Sequence, residues 1–131
     1  MGVFGATVLL PMFRDSRRTK KLEKQMVNVL RSAGSFLSAG ILSVDVAVLD
    51  AADRSKHPAK FEFRRVANLM KAGHPFPSAI MSVAQANDSE VITRVCTLIS
   101  VSYEQIPKEF AYDVFLTAAD TMERMELIHE K

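Results

Sequence analysis

Tryptophan is missing from this chain, tyrosine occurs twice, and cysteine occurs once. A lone Cys96 closes no intramolecular disulfide, so the fold has to rest on packing, and a reducing, cytoplasmic setting is the expectation. No run of about 18 uninterrupted apolar residues exists, so stable membrane insertion is not expected. The sequence also lacks Cys-x-x-Cys pairs and both common Gly-rich phosphate loops. His57, His74, Cys96 and His129 never pair at the i, i+3 or i, i+4 spacing that puts two metal ligands on one helix face. No metal and no cofactor is therefore expected. A sustained repeat is absent too, since the recurrence of His-Pro at 57 and 74 is too brief for a solenoid.

What is present suits a soluble globular chain: 131 residues, 48% hydrophobic and 24% charged, enough to bury a core without staples. The net charge of +2 hides a division. Residues 1–71 hold 13 Lys and Arg against 6 Asp and Glu, whereas 72–131 hold 4 against 9. Such asymmetry points to a charged partner or to association between copies of opposite faces.

Taken in order, residues 1–13 are apolar but interrupted by Gly2, Gly5 and Pro11, with no clean period. They precede the basic run, the wrong order for a secretory signal, and Ala6 stands where a myristoylation pattern needs Ser or Thr. This segment is expected to be an N-terminal arm at an interface, through Val3, Phe4, Leu9, Leu10 and Phe13, with one helical domain over 14–131. The DSRRTKK run that follows has no apolar residue over two turns and is expected to stay out of the core. A stripe through Leu22, Met26, Val29, Leu30 and Ala33 marks a first helix expected to end near Gly34.

The least polar stretch, 35–53, alternates at Val44, Val46 and Val48 as a strand would. Its length argues instead for one buried helix, with Gly40 explained by close helix packing. Pro58 opens a third helix with a basic outer side, stopped by Lys71, Gly73 and Pro75. Ser78 is placed as cap of a short fourth helix, and Asn87 with Glu90 as the capping box of a mostly buried fifth. Pro107 begins a last helix whose apolar line is Ala111, Val114, Phe115, Ala118, Met122 and Met125, with acids outside and an Asp120–Arg124 pair. The expected fold is all-α, a compact bundle of five or six helices, with a repeat-like right-handed stack of three helix hairpins as the other arrangement.

Chemistry is harder to place. Cys96 sits between Ile92 and Ile99, the setting of an inert core thiol and not of a nucleophile. Asp45 and Asp50, in the apolar 35–53 stretch, read as a polar strip, and no catalytic carboxylate pair emerges. The clustered charges offer more. Arg17, Arg18, Lys20 and Lys21 would crowd the positive end of a helix starting near Ser16, an unfavourable local placement that suggests a use elsewhere. Together with Lys60, Arg64 and Arg65 they form one side of a partner-binding set, and Glu123, Glu126 and Glu130 of the last helix form the other. The expected function is a non-enzymatic protein-interaction or regulatory module that binds another protein or self-associates. The alternative is a nucleic-acid-binding regulator, its phosphates met by the basic segments and its bases stacked on Phe61 and Phe63.

Overall fold

The computed structural model describes the backbone of residues 2–40 and 43–130, and the side chains of 17–40 and 43–126. Among these residues there are six α-helices and no strand. They are α1 (Gly2–Ser38), α2 (Val44–Asp53), α3 (Ala59–Lys71), α4 (Phe76–Ala86), α5 (Glu90–Gln105) and α6 (Ala111–Glu130), with a 3-10 turn at Lys108–Phe110 before α6. Each helix packs against the next, and α6 returns along α1 in the most extensive contact of all. The compact all-α bundle is thus a closed ring. A repeat-like stack of three hairpins would leave its first and last helices apart, whereas here they form the broadest seam.

Two glycines exchange the roles expected of them. Gly34, read as a helix stop, lies inside α1 on the seam with α6, where an added Cβ would stand 2.8 Å from Leu116 Cδ2 and 3.1 Å from Phe115 Cβ. Gly40, read as a packing residue, has φ +106° and open space around its Cα. Its amide donates to Leu37 O at 3.2 Å, the turn that ends α1. The stretch 35–53 is therefore not one helix but the last turn of α1, a glycine turn and α2. The helical reading of Val44, Val46 and Val48 holds. That helix buries Ala47, Val48, Ala51 and Ala52, while Val46 faces water.

α1 begins at Gly2, so its backbone takes in the apolar segment expected as an arm. The side chains of Val3, Phe4, Leu9, Leu10 and Phe13 lie outside the described residues, and with them their expected place at an interface. Because the helix starts so early, the cations at 17–21 stand in its middle, and the argument from a crowded positive helix end does not apply. Nor does the DSRRTKK run stay wholly outside, since Thr19 is buried.

The core is formed by Leu22, Met26 and Leu30 of α1, Phe63 of α3, Ile80 of α4, Ile92 and Ile99 of α5, and Phe115 and Met122 of α6. Each such side chain contributes about 1.5–3 kcal/mol by leaving water. Phe76 stacks obliquely on Phe115 at 5.2 Å and meets Tyr103 edge-on at 4.9 Å, tying α4 to α5 and α6. The apolar line expected for the last helix, through Met122, is buried or half-buried as read.

The helix ends divide in the same way. α3 closes as expected at Gly73, which has φ +106°: its amide donates to Met70 O and that of His74 to Leu69 O, both at 3.0 Å. At α4 the cap position belongs to Pro75, with Pro77 in the first turn where a missing N–H costs nothing, so Ser78 is not the cap. At α5 the cap is Ser89, whose Oγ accepts from Ile92 N at 3.0 Å. Asn87 instead ends α4 and turns inward. α5 is also less covered than its pattern suggested, with Leu98 and Val101 exposed.

Candidate interaction surface

α3 carries the two polar features of interest, one on its inner edge and one on its outer face. On the inner edge is Glu62, a carboxylate only 1% exposed. An unpaired buried carboxylate is too costly to persist, and here donors surround it. Arg18 Nη2 donates to Oε2 at 2.8 Å, Asn87 Nδ2 to Oε1 at 3.0 Å, and Arg65 donates to both oxygens.

The cluster ties helices together. Arg18 Nη1 donates to Asn87 Oδ1 at 2.6 Å, and Asn87 Nδ2 also reaches Val83 O at 2.8 Å. Arg65 donates from Nε to Ser82 Oγ at 3.3 Å and from Nη2 to Ser82 O at 3.2 Å. Next to it, Ser89 Oγ donates to Glu23 Oε2 at 2.6 Å. α1, α3 and α4 are thus cross-linked by polar contacts, and the cap of α5 is joined to α1. Burial pushes the Glu62 carboxyl upward, the largest single influence. The hydrogen bonds from Arg65, Arg18 and Asn87, with the Arg65 charge, together outweigh it and hold the group below its ordinary value.

Sequence reading missed Glu62, though a signal was there. It falls three residues after Ala59 and four before Val66, both fully buried, so it lies in the apolar stripe and not beside it. An acid inside such a stripe with Arg at i+3 marks a buried ion pair. Asn87 was missed because its position before a helix suggested a cap.

The outer face is different. His57, Lys60, Phe61, Arg64, Arg65, Asn68 and Leu69 line a shallow groove of about 580 Å³. Three of these are cations, and among the described residues no carboxylate lines it. Phe61, one of its lining residues, is 56% exposed, with the Arg65 guanidinium 5.7 Å from its ring and the His57 ring at 6.5 Å. Gln25 of α1 fixes the start of the helix: it accepts from Ala59 N at 3.0 Å and donates to His57 O at 3.2 Å.

The structure therefore divides the expected basic set. Arg18 and Arg65 are committed to Glu62. Arg17, Lys20 and Lys21 are exposed on α1, Lys60 is half-buried, and Arg64 is exposed on α3. Arg64 Nε lies 3.6 Å from Asp53 Oδ1, but both side chains are more than half exposed, and such a pair holds by about 0–1 kcal/mol. Phe63 is buried, so it offers no ring to a base.

On the acidic side Glu123 is exposed, yet Arg31 of α1 lies 3.3 Å from it and 3.0 Å from Asp120. Asp120 thus reaches across to α1 and not along α6 to Arg124. Glu126 is half-buried, and the Glu130 side chain lies outside the described residues.

A second, smaller hollow of about 260 Å³ separates α1 from the end of α2. Three of its polar side chains, Gln25, Arg54 and Ser55, are engaged within the fold. Arg54 pairs with Asp50 at 3.5 Å and lies over Phe36 at 5.1 Å, and Ser55 Oγ donates to Ala52 O at 2.6 Å. Cys96 is fully buried, and burial pushes its thiol up to about 12, far from the thiolate a nucleophile needs. Among the described residues no group of three His, Cys, Asp or Glu side chains could hold a metal ion, and no helix is long and apolar enough to cross a membrane. Compared with protein-family models, curated proteins and solved structures, the chain matches none of them.

Proposed function

We propose that this chain is a non-enzymatic protein-interaction module that docks its partner on the outer face of α3. The observation that carries this reading is Phe61, a large ring exposed to water in a groove that it lines together with Lys60, Arg64 and Arg65. As it stands, that ring contributes little to folding. Covered by a partner, it would contribute up to about 1.5–3 kcal/mol to association, and aromatic anchors beside arginine are where interface energy concentrates. Burial of Cys96 argues against a cysteine nucleophile.

Nucleic-acid binding is the second reading, favoured by the exposed Arg17, Lys20 and Lys21 of α1 and Arg64 of α3. It is weaker because single strands are held by successive aromatic platforms, and the burial of Phe63 leaves Phe61 as the exposed phenyl ring of α3.

Affinity capture from a lysate of the source cells, with and without nuclease, separates the two. Proteins retained by the wild type and lost with Phe61→Ala should survive nuclease treatment. Identical retention by both, or retention that vanishes with nuclease, contradicts the proposal.

A further inference from the structure

The groove on α3 constrains the chemistry of what it takes. Building on its reading as a docking face, we infer that its occupant is a short acidic segment of another protein. One large apolar side chain of that segment covers Phe61 and Leu69, and its carboxylates sit beside Lys60 and Arg64.

Sign is the first argument. Lys60 and Arg64 line the groove with no carboxylate among the described lining residues, and Arg64 is held only weakly by Asp53, so an acidic segment meets both where a neutral one meets neither and a basic one faces like charge. The cations also differ in what they can do. Arg65 is held by Glu62 and Ser82 and forms a fixed wall, one side of which supports the Phe61 ring. Arg64 is tied only to the exposed Asp53, and Lys60 has no ion pair among the described residues, so these two can turn to meet a ligand.

Size is the second. Lys60 to Leu69 spans roughly 14 Å of helix. An extended segment of about four residues covers that distance, room for one anchor with an acid on either side.

Two other occupants fit less well. The acidic helix α6 of a second copy would have to give up contacts of Asp120 and Glu123 with Arg31. Nucleic acid would satisfy the cations but leaves the apolar Leu69 edge of the groove without a matching group.

The test is selection of a random peptide display library on the full chain, with counter-selection on Phe61→Ala. The best synthetic peptides are then titrated against the wild type, Phe61→Ala and the double variant Lys60→Glu/Arg64→Glu, with circular dichroism confirming that each variant is folded. Selected peptides should carry Asp or Glu within two residues of a large apolar side chain. Both variants should bind them at least tenfold more weakly, with wild-type affinity falling as salt rises.

Phe61-dependent peptides with no acidic enrichment, or with no response to charge reversal, overturn this inference and leave the docking face standing. If no peptide distinguishes wild type from Phe61→Ala, both ideas fall. Self-association abolished by Phe61→Ala identifies a second copy as occupant and overturns the inference. Oligonucleotide binding lost in Lys60→Glu/Arg64→Glu, without any Phe61-dependent peptide, overturns it in favour of nucleic acid.

Discussion

The inner edge and the outer face of α3 are built from the same kinds of residue and do opposite things. On the inner edge Arg65 and Arg18 meet a carboxylate withdrawn from water, and their charge is consumed in holding α1, α3 and α4 together. On the outer face Lys60 and Arg64 surround an exposed phenylalanine with no acid among the lining residues. A count of charges along the sequence treats these four cations alike. What separates them is whether the nearest carboxylate is buried, because a buried carboxylate must keep its partners while an exposed one holds them weakly.

The sharpest way to break this contrast is to remove the inner acid. Glu62→Ala strands two guanidinium groups and Asn87, and should lower unfolding stability by about 3 kcal/mol in urea titration. That is the low end for breaking a buried pair, since both arginines are partly exposed and can turn to water. The same site predicts an acid-side signature. A carboxyl lowered on folding contributes fully above its unfolded value of about 4.3 and loses that contribution as pH falls from there through the lowered folded value. The stability gap between wild type and Glu62→Gln should therefore be large at neutral pH and shrink as pH is taken below 4. A gap that stays constant would mean that the charge of Glu62 is not what matters.

A middle-sized effect tests the other buried seam. Gly34→Ala forces a methyl against Leu116 and Phe115 and should cost about 1–3 kcal/mol, read as a lower urea midpoint. The smallest effect belongs to the outer face. Phe61→Ala should change stability by no more than about 0.5 kcal/mol, because more than half of the residue's surface is already in water. A loss as large as that of Glu62→Ala would make Phe61 a structural residue and dissolve the contrast.

The all-helical bundle, the stop at Gly73, the buried Cys96 and the inward line of α6 were legible in the sequence, because period and breakers act locally. The misreadings came where a residue type has two uses that only tertiary contacts separate. Glycine ends helices and admits neighbouring ones; Gly34 and Gly40 were assigned each other's role because packing partners such as Leu116 lie about eighty positions away. Asn87 and Ser89 both suit a cap, and the choice was made by Glu62, a residue twenty-five positions earlier. For the candidate surface, the basic character of the third helix was readable, as was Phe61. Which cations remain available was not, since that depends on which carboxylate is buried.

Equilibrium urea unfolding of Arg64→Ala and Arg65→Ala, side by side, tests the division of α3 most directly. Arg65→Ala removes hydrogen bonds to a buried charge and should lose about 1.5–3 kcal/mol, whereas Arg64→Ala should stay within about 0.5 kcal/mol of the wild type. Equal losses from these adjacent arginines, or a larger loss from Arg64, would contradict the account.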